Sequence, residues 1–113
     1  MSETFGQRLS AALGLHGALC VGIDPHAALL SAWGLDATAE GAREFGLRTV
    51  EAARGRVGVV KPQVAFYERY GSRGFAALED VMAAARDAGL LVIADAKRGD
   101  IGTTMEGYAH AWL

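Results

Sequence analysis

Four charged side chains, Asp95, Lys97, Arg98 and Asp100, fall within six residues directly after the apolar run at residues 90–94. A buried strand tolerates such an ending only where the charges pair with one another or do chemistry. Carboxylates alternating with ammonium groups have two chemical uses. A protonated lysine held by a carboxylate can act as a general acid toward a carbanion. Alternatively the aspartates could bind a divalent cation, although such sites avoid ammonium groups among their ligands, and Lys61 and Lys97 both count against it. Taken alone, a D-x-K-x-x-D pattern is also compatible with a solvated turn of ordinary ion pairs. Arg98 faces away from Lys97 in an extended chain, so a solvated or ion-pairing role is its default.

The elements that must position these residues repeat in a regular order. Apolar runs at residues 18–24, 57–61 and 90–95 end on Asp24, Lys61 and Asp95, and Asp24 and Lys61 each precede a proline. A residue before proline is held extended, which favours a strand end. In an extended chain Asp95 and Lys97 would point the same way. Between the runs, Thr38 is positioned to cap a helix reaching about Arg54, with Ala42, Phe45, Gly46, Thr49, Val50 and Ala53 on one face and Gly55 as its stop. Ser72 is expected to cap a second helix with Phe75, Leu78, Met82 and Ala85 as its stripe, ending at Gly89. An amphipathic opener carries Phe5, Leu9 and Leu13 and should end near Gly14. Residues 62–71 read as a loop, and Met105, Tyr108, Ala109 and Trp112 begin a further helical face. Short apolar strands alternating with helices indicate parallel βαβ units. Every strand's C-terminal end then lies on one rim, where α/β folds build their sites.

The bulk properties exclude several classes. The sequence has 113 residues, is 51% hydrophobic and carries a formal charge of −2, which argues against nonspecific binding to nucleic acid or membrane surfaces. Cys20 is the one cysteine and reads as a small buried hydrophobe suited to a reducing compartment. No secretory signal or bilayer-length apolar run is evident, so a soluble cytoplasmic protein is expected. His16, His26 and His110 lack metal-ligand spacing and read as surface or packing residues; Trp33 and Trp112 read as packing residues. No dinucleotide or P-loop glycine pattern occurs.

The stretch DAKRGDIGTT, residues 95–104, resembles the D-x-K-x-x-D-I-x-x-T signature of the orotidine 5'-phosphate decarboxylase family, and VGIDPH and VVKPQVAFYE fit the same family. The KPQ wording and the long first connector are similar to its longer bacterial subgroup. The resemblance implies a (β/α)8 TIM barrel that decarboxylates orotidine 5'-monophosphate to uridine 5'-monophosphate in pyrimidine biosynthesis, without metal or cofactor. It places Lys61, Asp95, Lys97 and Asp100 in a charged tetrad, with Lys97 protonating C6 of the pyrimidine and Asp95 beside the substrate carboxylate. It assigns Asp24 to a ribose hydroxyl, with Lys61 also near the ribose. Asp100 and Thr104 are implied to reach the neighbouring subunit's site in a homodimer. Related magnesium-dependent keto-gulonate-phosphate decarboxylases and hexulose-phosphate synthases carry a glutamate at the second strand end, where this sequence has Lys61.

A full barrel needs about 250 residues. Residues 1–113 are therefore expected to form the N-terminal part of one barrel domain, about three βα units, and to be inactive alone. Two other readings stay open. One is a non-catalytic half-barrel that only associates with other chains; the other is a magnesium-dependent sugar-phosphate enzyme of the same superfamily.

Overall fold

The computed structural model describes residues 2–113. Three strands, β1 (Cys20–Ile23), β2 (Val59–Pro62) and β3 (Leu91–Val92), form one parallel sheet in the order β1-β2-β3. Six helices accompany them among the described residues: α1 (Phe5–His16), α2 (Ala27–Ala32), α3 (Ala39–Ala53), α4 (Ala65–Glu68), α5 (Gly71–Asp87) and α6 (Gly102–Trp112). The expected alternation of strand and helix is present.

Local chemistry accounts for most of the boundaries. The Thr38 hydroxyl accepts from the Gly41 amide at 3.0 Å and starts α3, satisfying one of the first-turn donors. Gly55 and Gly89 take positive φ values of 71° and 78° just past α3 and α5, a conformation that costs glycine nothing.

The heart of the core lies between α3 and α5, behind β2. Ala42, Phe45 and Val50 pack with Ala77, Leu78, Val81 and Ala85 over Ile23 and Val60. The α3 stripe was expected. On α5 the buried set is rotated from the expected one: Ala77 and Val81 join Leu78 and Ala85, while Phe75 and Met82 are only half-buried and face the side where Trp112 sits. The α3–α5 approach is close at Gly46, where a Cβ would lie 2.6 Å from the Tyr67 hydroxyl and within 2.9 Å of both Val81 methyls. Tyr67 is fully buried on α4 and donates to the Ala42 carbonyl at 3.1 Å. Burial, helped by the Asp24 charge, pushes its phenol well above the usual tyrosine range.

Several expectations are corrected. The opener α1 continues through Gly14 to His16 and stops at Gly17; its Phe5 and Leu13 remain exposed. Cys20 is exposed rather than buried; it opens β1, an edge strand of the sheet. The segment after β2 is not a plain loop, since α4 occupies Ala65–Glu68. Ser72 caps nothing: α5 starts at Gly71 with Tyr70 before it and no side-chain cap. On α6, by contrast, Met105, Tyr108, Ala109 and Trp112 are the half-buried residues, the face the spacing predicts.

The third strand is paired over Leu91–Val92 and again at a lone bridge between Gln63 and Asp95. Pro62 explains the interruption. Ile93 donates to the Val60 carbonyl at 3.0 Å and Asp95 to the Pro62 carbonyl at 3.1 Å, but Pro62 has no N–H to return, so the ladder skips one rung.

Candidate active site

Side chains alternate between the faces of a strand, so the register decides which residues meet at the rim. Gly22 pairs with Lys61 and Gln63 bridges Asp95. The Gln63 amide donates to the Ile23 carbonyl at 3.0 Å, which continues the β1–β2 register so that Asp24 stands beside Gln63. Asp24, Gln63 and Asp95 thus form one row across the three strand ends, on one face of the sheet. Lys61 stands one row below on the same face, next to Gly22, which brings no side chain of its own.

The third-strand cluster closes onto this row. The Lys97 ammonium contacts Asp95 Oδ2 at 2.7 Å and donates to Gln63 Oε1 at 3.0 Å. The Lys97 backbone is not extended, as expected from the sequence, but left-handed, with φ 53°; that turn folds its side chain back over the row. The Lys97 hydrogen bond holds the Asp95 carboxyl below the usual carboxylate range. The Lys97 and Lys61 charges and the Gln63 amide add to the effect, against partial burial. The pair is not deeply buried, with side-chain exposures of 24% for Asp95 and 65% for Lys97.

Lys61, Asp95 and Lys97 border a cavity of about 350 Å³ whose other wall is Met105, Tyr108 and Trp112 of α6. Asp24, Asp100 and Thr104 do not line it. Asp100 is exposed and its carboxylate accepts from the next amide, Ile101, at 2.7 Å, which steadies the entry to α6. Thr104 is exposed on the first turn of α6. Of the solvated and ion-pairing roles open to it, Arg98 takes the second: it binds Glu68 of α4 and donates to the Ala96 carbonyl at 2.9 Å. His26 caps α2 through its Nδ1.

Two residues of this arrangement escaped the reading of charges. Glu68 anchors Arg98, and Gln63 bridges strand and loop. Gln63 had a legible signal, because it lies two residues beyond Lys61 and period-2 alternation puts both on one face. Among the described residues no group of three or more His, Cys, Asp or Glu side chains converges as a metal would require. No helix among them is long and apolar enough to cross a membrane. The arrangement can present an ammonium, steadied by a carboxylate and an amide, at the mouth of a partly apolar cavity.

Comparison with known proteins places these residues in context. An orotidine 5'-phosphate decarboxylase of Corynebacterium efficiens is 59% identical over 113 residues, covering all of this chain and 40% of the relative. A crystal structure from Streptomyces avermitilis, described as an orotidine 5'-phosphate decarboxylase, superposes with a TM-score of 0.95 at 57% identity, over 99% of this chain and 39% of that one. The OMP decarboxylase of Leishmania donovani superposes with a TM-score of 0.77 at 36% identity, over 96% of this chain and 39% of its own. The three strands and their helices match the N-terminal part of these TIM barrels, and the chain spans about 40% of the length of the curated relatives it matches. The sequence profile of the orotidine 5'-phosphate decarboxylase / HUMPS family covers residues 17–113, and the chain belongs to that family.

Proposed function

We propose that the complete protein decarboxylates orotidine 5'-monophosphate to uridine 5'-monophosphate, and that residues 1–113 supply the N-terminal part of a single barrel domain. The observation that carries the reading is the Lys97 ammonium held at 2.7 Å from Asp95 above the strand ends. In the reaction the bond from C6 to the carboxylate breaks, carbon dioxide leaves, and the electron pair stays on C6. Lys97 then gives that carbon a proton and recovers one from solvent. A fixed ammonium stabilises the charge as it develops and needs no reorganisation at that moment. Asp95 keeps Lys97 in place and lies on the side of the departing carboxylate. Lys61 and Asp24 are assigned to the ribose. Asp100 and Thr104, both exposed, are assigned to the neighbouring site of a homodimer.

Lys61 favours this reading over the magnesium-dependent branch of the family, because an ammonium at the second strand end is a poor neighbour for a divalent cation. Full-length protein should consume orotidine 5'-monophosphate, followed by loss of its ultraviolet absorbance, equally well with and without a chelator. Lys97→Ala should lower kcat by about 10³-fold or more, since it removes both the proton donor and the stabilising charge. Activity that requires added magnesium, or a Lys97→Ala variant that turns over normally, would refute the reading.

A further inference from the structure

Lys97 has three N–H bonds to give. One is directed to Asp95 and one to Gln63 Oε1 at 3.0 Å. Asp95 alone would fix the distance of the ammonium from the loop but would leave it free to swing about that contact. The second acceptor removes the swing and leaves one N–H for the cavity. Gln63 is suited to this by its backbone as well: its amide bonds β1 through Ile23, its neighbour Val64 donates to the Asp95 carbonyl at 3.2 Å, and Gln63 bridges Asp95 directly. The acceptor is therefore mounted at the end of the central strand rather than on the loop that carries Lys97.

The residue type follows from the row in which it stands. Gln63 lies between Asp24 and Asp95, at strand spacings of about 4.8 Å. A glutamate there would also accept from Lys97, but it would set three carboxylates side by side. The amide supplies an oxygen without a charge. The charged groups around Lys97 are then Asp95 of its own loop, Lys61 of β2 and, beyond Gln63, Asp24 at the end of β1; Arg98 is occupied by Glu68, and Tyr108 of α6 stands across the cavity.

We propose that Gln63 is a positioning residue of the decarboxylation site, its side-chain oxygen fixing the Lys97 ammonium against Asp95 so that the remaining N–H faces the reacting carbon. This rests on the function proposed above, so the test needs a readout that does not depend on turnover. An ammonium held by two acceptors rotates and exchanges slowly enough to give its own ¹H–¹⁵N correlation, identified by its loss in Lys97→Arg. In the full-length protein, Gln63→Met keeps the length and removes the oxygen, and Gln63→Leu serves if that variant does not fold. Either should broaden or abolish the Lys97 signal and lower kcat by about 10- to 100-fold, the range for a misplaced reacting group. KM for orotidine 5'-monophosphate should change less than threefold. Gln63→Glu should keep the signal and recover part of kcat. An unaltered signal in Gln63→Met, or a loss carried wholly by KM, would overturn the positioning role. If the signal responds as expected while even the wild type fails to turn over the substrate, the reaction is wrong and the hold of Gln63 on Lys97 stands.

Discussion

The ionised state of Asp95 is part of what holds the rim together. Its carboxyl is held below the usual range, first by the Lys97 hydrogen bond, so the folded chain keeps the negative charge at acidities where the unfolded chain, near pH 3.9, has begun to lose it. The resulting stability is fully present above that unfolded value and is lost as pH falls through the lower native one. Urea melts between pH 3 and pH 6 should show this acid-side decline, and Asp95→Asn should flatten it. At this scale the sequence was informative about which residues carry charge and silent about how they are joined. Asp95 and Lys97 are legible as a pair from their spacing in an extended chain, but the contact is made by a left-handed turn at Lys97. Nothing in a lysine announces that conformation. Arg98 is the opposite case: a solvated or ion-pairing role follows from its position, but its partner Glu68 comes from a helix where the sequence suggests a loop.

Among the elements, α3 was the most legible, because its cap, its stripe and its stop all agreed. It also meets the tightest constraint in the core. Alanine has a helix propensity about 1 kcal/mol better than glycine, which by itself would favour Gly46→Ala. The added methyl would instead sit 2.5 Å from a Val81 methyl and 2.6 Å from the Tyr67 hydroxyl, and overpacking of this kind costs about 1–3 kcal/mol. The clash should win, so Gly46→Ala should lower Tm in a thermal melt; an unchanged or raised Tm would show that α3 can move away from α5. The faces of α5 and the ends of α1 were less legible for a related reason. Which side of an amphipathic helix is buried depends on what it packs against, and α5 buries small residues, Gly74 close against Tyr67 and Ala77 in the core, that hydrophobicity alone does not single out.

As a whole, the 113-residue piece is a slab, with extents of 43 × 39 × 19 Å and a radius of gyration of 14.7 Å. A compact domain of this length would be nearer about 13 Å. The difference lies on the flanks: β1 and β3 both present unpaired edges, and a cleft of about 780 Å³ walled by Phe5, Phe75, Met82 and Trp112 lies beside β3. Leu15, Leu19 and Ile101 are exposed as well. Open edges of this sort recruit further strands. Residues 1–113 produced alone should therefore form concentration-dependent oligomers in sedimentation velocity; a monomer with a cooperative melt would contradict this. Three βα units, and the rim at which Asp24, Lys61 and Asp95 end their strands, could be read from alternation and strand-end charges. The exposure of Cys20 could not, since burial of an edge strand depends on neighbours beyond its own residues.

The left-handed backbone of Lys97 sets its place in the chain against the role of acid proposed for it. A side chain in that conformation costs of order 1 kcal/mol, which glycine escapes. Two substitutions that equally delete the ammonium should then diverge in another property: Lys97→Gly should unfold about 1 kcal/mol later than Lys97→Ala in denaturant. A lineage released from the chemistry proposed for Lys97 would drift toward glycine here, and its loop would become more durable as that chemistry was lost.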